Sequence, residues 1–164
     1  MRSFFIILFF STSVFASISD VKLREKYKDW IVYTALEDGE NICYVVSYPK
    51  KKSENYITDR KSYVMVSYVD EKLDEVSVTS GFKYDKEPII LNIDSKIKYK
   101  LSIIEGNLAW AESTKVDQEL ILKMKQGLSM VVSGKKQAIK VDDTYSLLGF
   151  QSAYRKMHDL CNKK

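Results

Sequence analysis

From Ile97 to Ile103 the chain alternates apolar and polar side chains without a break. Ile97, Tyr99, Leu101 and Ile103 fall on one side, and Lys98, Lys100 and Ser102 on the other. Successive side chains of a strand point to opposite faces, so this run predicts a strand with one face buried and one in water, as in an antiparallel sheet. Ile89, Leu91 and Ile93 alternate in the same way just upstream. Asn92, Asp94 and Ser95 supply turn chemistry, so the two runs read as a hairpin. Trp30 to Thr34 and Ile42 to Ser47 flank Glu37-Asp38-Gly39-Glu40, a second hairpin signal. Tyr63 to Val69 and Val76 to Thr79, the latter just before Gly81, read as further strands. Met130 to Val132 and Ala138 to Val141 bracket Ser133-Gly134-Lys135-Lys136, read as another hairpin turn.

Two segments switch to helical spacing. Val116, Leu120, Ile121 and Met124 share one face, with Thr114 as the expected N-cap, Asp117 in the first turn and Gly127 as the stop. Leu147, Phe150, Tyr154, Met157 and Cys161 recur at intervals of three and four, with Thr144 or Ser146 as the expected cap. The fold predicted is mainly β: an antiparallel sandwich or barrel-like single domain with two short helices. The polar loop from Pro49 to Arg60 is expected to be mobile.

The N-terminus bears on compartment. Arg2, the apolar run Phe4 to Phe10, and Val14-Phe15-Ala16 before Ser17 have the layout of a secretory signal. That run is too short for the roughly 20 residues of a spanning helix, and no later segment approaches that length. The organisation expected is therefore a signal peptide over residues 1–16 and one domain over 17–164. Export makes an oxidising compartment, in which an even pair of cysteines reads as a disulfide. The two are Cys43 and Cys161. A metal site would need more ligands than one His and two distant Cys provide, and a catalytic thiol would leave its partner without a role. As a disulfide, the pair would fasten the last helix to the first hairpin.

The 164 residues carry a formal charge of +4, with Lys far outnumbering Arg. Lys50-Lys51-Lys52, Lys135-Lys136 and Lys163-Lys164 read as solvated loops or terminus, with peripheral attraction to an anionic surface as the functional alternative. An exported protein does not meet nucleic acid. Tyr is frequent, with 11 residues, most of them in strand-like runs. Trp30 and Trp110 read as core.

Catalytic signatures are sparse. His158 is the only His and lies one residue off the apolar stripe of the last helix, which suits boundary packing. No Ser sits in a G-x-S-x-G setting. The acidic pairs Glu37-Asp38, Asp70-Glu71, Asp74-Glu75 and Asp142-Asp143 fall where a turn or a helix entrance is expected. No catalytic, cofactor-binding or metal residue is assigned, and no cofactor is expected.

One segment exceeds what patterning explains. Asp143-Thr144-Tyr145-Ser146-Leu147-Leu148-Gly149-Phe150, followed by Ala153 and Cys161, resembles the C-terminal signature of the invasion-associated locus B family, exported proteins of alphaproteobacteria. Lys28-Asp29-Trp30 is similar to the family's opening motif, and Cys43 with Ser47 and Pro49 to its first Cys block. Arg60 with Tyr63, Val64 and Val66, then Val76-Ser77-Val78 with Gly81, follow in matching order. So do Ala109-Trp110-Ala111, Met124-Lys125-Gln126-Gly127 and Met130-Val131-Val132-Ser133-Gly134. The chain departs from the family at Lys135-Lys136-Gln137-Ala138, where many members carry small residues and Arg-Gly. The resemblance brings no enzymatic activity, and it implies a part in host-cell invasion for some pathogens. The signature itself reads as structural, with Asp143, Thr144, Tyr145, Ser146, Leu147, Gly149 and Phe150 serving capping, core packing and disulfide anchoring.

The function expected is that of a non-enzymatic envelope protein, periplasmic or at the surface, that binds an envelope or host-surface partner. The alternative is a small periplasmic hydrolase or a glycan- or small-ligand-binding enzyme. A large apolar pocket with convergent carboxylates would favour the alternative. A filled core with a flat basic or aromatic patch would favour binding. Replacing Cys161 by Ser is expected to lower the melting temperature markedly under oxidising conditions; wild-type melting that reductant leaves unchanged would count against the bond.

Overall fold

A computed structural model describes residues 18–53, 59–69 and 73–162. The signal segment, most of the Pro49–Arg60 loop's polar tip, the Asp70-Glu71 pair and Lys163-Lys164 lie outside the described residues. Eleven strands and two helices follow in order: β1 (Ile18–Tyr27), β2 (Trp30–Glu37), β3 (Glu40–Ser47), β4 (Tyr63–Ser67), β5 (Glu75–Thr79), β6 (Ile89–Ile93), β7 (Ile97–Leu101), β8 (Ile103–Glu105), β9 (Leu108–Trp110), α1 (Thr114–Gln126), β10 (Ser129–Lys136), β11 (Ile139–Ser146) and α2 (Phe150–Cys161). They form two antiparallel sheets, one ordered β1-β2-β3-β4-β5-β9-β8 and the other β11-β10-β6-β7. Neither sheet closes on itself, so the architecture is sandwich-like rather than a barrel.

Alternation explains the core. Val32, Val45, Val64, Val66, Val76 and Val78 bury one face of the larger sheet. Ile89, Leu91, Ile93, Met130, Val132, Val141 and Tyr145 bury the inner face of the smaller one. α2 lies against β2 and β3, and its stripe of Phe150, Ala153 and Met157 is buried there. Phe150 meets Trp30 with ring centroids 4.7 Å apart. Full burial of side chains of this size stabilises by roughly 1.5–3 kcal/mol each. The disulfide between Cys43 and Cys161, 118 residues apart, fastens the far end of α2 to β3. In the chain-entropy account a loop of about 100 residues contributes nearly 5 kcal/mol.

The long alternating run divides. β7 stops at Leu101, and β8 resumes at Ile103 in the other sheet, paired with β9. The side that faces inward changes at Ser102: Leu101 is buried, whereas Ile103 is exposed and Ile104 packs on the core. A corner that passes one chain between two sheets does this, and period two alone does not reveal it.

Three other expectations are corrected. Ser133-Gly134-Lys135-Lys136 is not a turn. β10 runs through it to Lys136, and the reversal is at Gln137-Ala138, with Gln137 at φ 55°. Gly134 is there because of what it faces: a Cβ would lie 3.0 Å from Tyr84 Cε1 and 3.1 Å from Ser80 Oγ. Nor do Thr144 and Ser146 cap the last helix. Both belong to β11, and the helix starts after Gly149, at φ 92° and without a side-chain cap. The first helix is capped one residue early, by Ser113, whose hydroxyl accepts from the Val116 amide.

Between the sheets lies a buried ion pair. Val141, Asp143 and Tyr145 form the inner face of β11, so the Asp143 carboxylate points into the core rather than to a helix entrance. Arg60 meets it with two bonds, Nη1 to Oδ2 at 2.6 Å and Nη2 to Oδ1 at 2.6 Å. Arg60 Nη1 also donates to the Ser80 carbonyl at 2.9 Å and to Ser62 Oγ at 3.2 Å. The Lys52 ammonium donates to the Arg60 carbonyl, and the Ser53 amide to Asp143 Oδ1 at 3.4 Å. The Asp143 carboxylate, bonded to the guanidinium, raises the pKa of Arg60 still further. Removing one partner of a buried pair typically costs about 3–5 kcal/mol, because the other is left charged and unanswered. Asp143→Ala and Arg60→Met should each lose stability of that order in urea unfolding, and the combined Arg60→Met, Asp143→Leu chain should regain most of it. A loss below about 1 kcal/mol in both single variants would mean that water reaches the survivor.

Candidate functional site

The outer face of the larger sheet is not an ordinary solvated surface. The same alternation that buries Val32, Val45 and Val64 inward turns Tyr33, Tyr44 and Tyr63 outward on β2, β3 and β4. With Tyr48 just past β3, they line a trough of about 630 Å³, together with Ile42, Val46, Met65, Ser67 and Leu108. Ile18, Val21 and Glu37 line it as well. Glu37 is the one charged residue in that lining. The volume falls in the range of ligand clefts, roughly 300–1,000 Å³.

The tyrosines stand on adjacent strands and support one another. Tyr33 and Tyr44 are cross-strand partners, with rings stacked at 5.4 Å. Partial burial raises the pKa of the Tyr33, Tyr44 and Tyr63 phenols, and for Tyr33 the neighbouring Tyr48 hydroxyl adds to it. They are thus neutral hydroxyls at physiological pH, each an apolar ring with a polar rim. Such rings provide contact area at small entropic cost and tolerate varied hydrogen-bonding partners. No second carboxylate converges on Glu37 in this lining, so the trough offers shape and stacking rather than acid–base chemistry.

The residues singled out in the sequence lie on the other side of the sheet. Cys43 and Cys161 are bonded, and Asp143 is in the ion pair. Thr144 bonds through its backbone to Lys50 and Lys51, accepting from both amides and donating to the Lys51 carbonyl at 2.7 Å. Tyr145 is buried, its hydroxyl unpartnered and its pKa pushed far up by burial. The Ser146 carbonyl accepts from Trp30 Nε1 at 3.1 Å, and its Oγ accepts from the Leu148 amide. Leu147 is buried. Gly149 presses against the β1–β2 turn so closely that a Cβ would lie 2.0 Å from the Tyr27 carbonyl oxygen. The signature is a seam that joins β11 and α2 to Trp30, and none of its residues lines the trough. Of the lysine clusters, Lys50 pairs with Asp29 at 2.8 Å and Lys135 with Glu87 at 2.9 Å, the latter from the end of a strand rather than a loop.

A second constellation is charged. His158 Nε2 lies 2.6 Å from Asp74 Oδ2, and the Tyr154 hydroxyl donates to the same oxygen. The His158 ring sits edge-on to Tyr68 and against Tyr154. Lys125 Nζ lies 3.8 Å from the centre of the Tyr154 ring. His158 therefore does more than fill a boundary: it ties α2 to the segment before β5. No Ser or Thr hydroxyl is bonded to its ring among the described residues, and both cysteines are in the disulfide. No group of three or more His, Cys, Asp or Glu is placed to hold a metal ion among the described residues.

The sequence profile of the family described as Invasion associated locus B (IalB) protein matches residues 30–158. No curated protein matches the chain. Among solved structures, the fold is similar to the crystal structure of invasion associated protein b from Bartonella henselae, with a TM-score of 0.63. That likeness covers 87% of this chain and 100% of the other, at 15% sequence identity, and is one of fold.

Asp117, in the first turn of α1, is buried beside Asp74 and Glu75, where it accepts from the Val76 amide at 3.0 Å. Burial, with the two neighbouring carboxylates, raises its pKa to about 6. A carboxyl raised on folding contributes stability that is fully present below its unfolded pKa, near 4, and is lost as pH rises through about 6. Asp117→Asn keeps the acceptor and removes the charge. It should stabilise the protein above pH 6 by on the order of 1–2 kcal/mol, after allowance for screening, and the gain should vanish below pH 4 in thermal melts.

Proposed function

The chain belongs to the Invasion associated locus B (IalB) family, and on that footing we propose that it is an exported, non-enzymatic envelope protein that holds a partner in its tyrosine trough. The observation that carries this reading is the outward face of β2, β3 and β4, where neutral tyrosines and aliphatic side chains form a half-buried cleft. The disulfide supports export, since such bonds persist outside the reducing cytoplasm. The N-terminal segment supports it too: cleavage after Ala16 would leave a domain of residues 17–164. Among the described residues no helix is long and apolar enough to cross a membrane. The name of the Bartonella henselae protein favours invasion of host cells as the setting. The partner sits in the envelope or on the host surface.

Two measurements test this. Membrane-impermeant biotin should label the protein in intact cells if it is at the surface, or only after osmotic opening if it is periplasmic, with a recovered N-terminus at Ser17. Labelling that requires full lysis would sink export. For the trough, Tyr44→Ser with Tyr63→Ser should lower the melting temperature only modestly and leave the fold intact, because both rings face away from the core and the lost cross-strand stacking is worth about 0.2–1 kcal/mol. The same chain should fail to restore the host-cell entry or envelope phenotype that the wild type restores to a deletion strain. Full restoration would rule the trough out.

A further inference from the structure

Four connections meet at one end of the sandwich. They are the β1–β2 turn at Lys28-Asp29, the β6–β7 turn at Asp94-Ser95-Lys96, the α1–β10 link at Gly127-Leu128, and the β11–α2 link at Leu147-Leu148-Gly149. Backbone bonds hold them together. The Leu147 amide donates to the Leu128 carbonyl at 2.9 Å, and the Asp29 amide to the Leu148 carbonyl at 3.3 Å. The Asp94 carboxylate accepts from the amides of Leu128 and Ser129, at 3.1 and 2.9 Å to Oδ1, and these bonds lower its pKa.

At the tip of this knot two leucines are left in water. Leu128 is 68% exposed and Leu148 is 53% exposed, on connections that touch each other. A loop held by that many backbone bonds is not free to fold such side chains inward. Lysines outnumber acids around them. Lys28 is exposed, with its Cβ 3.1 Å from where a Gly149 side chain would begin. Lys96 and Lys123 border the cleft beside Gly127, and Lys125 follows in the last turn of α1. Of the acids nearby, Asp29 is paired with Lys50, and Asp94 is held by the two amides and keeps one negative charge against the lysines. The first turn of α2, which starts here, has no acidic residue.

We propose that this end of the molecule is a membrane-docking tip, in which Leu128 and Leu148 enter the acyl boundary of an anionic bilayer while Lys28, Lys96 and Lys123 face the phosphates. Protruding aliphatic residues ringed by lysines match the two layers of a lipid interface, apolar below and negative above. A protein partner of the same charge pattern would need an acidic rim around a dry pocket; a bilayer of anionic lipid presents both everywhere. The attachment is peripheral and reversible, because two leucines bury far less than a lipid chain. It is separate from the trough, which none of these residues lines.

The test is flotation of the disulfide-bonded protein, as recovered from expressing cells, with vesicles of phosphatidylglycerol and phosphatidylcholine or of phosphatidylcholine alone. Wild type and variants share one N-terminus, so the comparison isolates the tip. Flotation is expected with the anionic vesicles and should fall by more than about tenfold with Leu128→Ser and Leu148→Ser together, at an unchanged melting temperature. Lys28→Ser with Lys96→Ser should weaken it by about fivefold per lysine, as should salt near 1 M, where screening acts within roughly 3 Å. The Tyr44→Ser, Tyr63→Ser chain should float like the wild type. Absence of flotation, flotation that the leucine substitutions leave intact, or equal flotation with neutral vesicles overturns the proposal.

Discussion

A carboxylate and a guanidinium, sealed together between two sheets, fix how those sheets are placed. Asp143 and Arg60 are 2% exposed or less at their side chains, and each is the other's charge partner. An apolar pair of the same size would hold the sheets as firmly, since burying two charges consumes much of what their attraction returns. What the pair adds is intolerance of error. A slip of one residue in β11 would carry Asp143 to the outer face, and the slip that put Thr144 in its place would leave Arg60 charged and alone in the core. The segment from Lys50 to Ser53, bonded to Thr144 and Asp143, covers the free edge of β11 as a result. The Ser80 carbonyl and the Ser62 hydroxyl finish the hydrogen bonding of Arg60, Tyr84 donates to the Ser80 hydroxyl, and Gly134 leaves room for Tyr84 and Ser80.

Much of the fold was legible because it rests on local rules. Asp38-Gly39 takes positive φ at both positions, as the β2–β3 turn needs, and Asp94-Ser95 does the same between β6 and β7. Both helices carry their apolar faces in register with 3.6 residues per turn. Where structure and sequence pattern part, the residue has two uses and serves the less common one. Gly134 serves close approach and not a turn, while the actual reversal at Gln137-Ala138 carries no turn signature. Thr144 and Ser146 have the chemistry of caps but sit in a strand whose partner, β10, extends further than its apolar residues indicate. β1 carries no period-two signal, because nearly every side chain in it is exposed. The Arg60–Asp143 pair spans 83 residues, and nothing local in either neighbourhood announces it.

The trough has a signal in the sequence. Tyr33, Tyr44 and Tyr63 each alternate with a buried valine, so the strands are apolar or aromatic on both faces. A sheet with one face packed and the other simply wet would alternate apolar residues with Lys, Glu or Thr, as β7 does with Lys98 and Lys100. Aromatic residues in the position meant for solvent mark a face that has something to meet. The signature near the C-terminal end drew attention instead, but its work is to hold α2 over Trp30, which leaves the opposite face of the same sheet free.

The contact of Trp30 with Phe150 and the bond of Cys43 with Cys161 have a consequence for timing. Both join the second and third strands to the last helix, across more than a hundred intervening residues. Any process that delivers the chain N-terminus first, whether a ribosome or a translocation channel, releases β2 and β3 long before their cover arrives. Until α2 emerges the inner face of those strands is bare, and contacts this distant in sequence form slowly. In any such order of delivery the bond that fastens the cover to β3 can close only once the final helix and its cysteine have arrived.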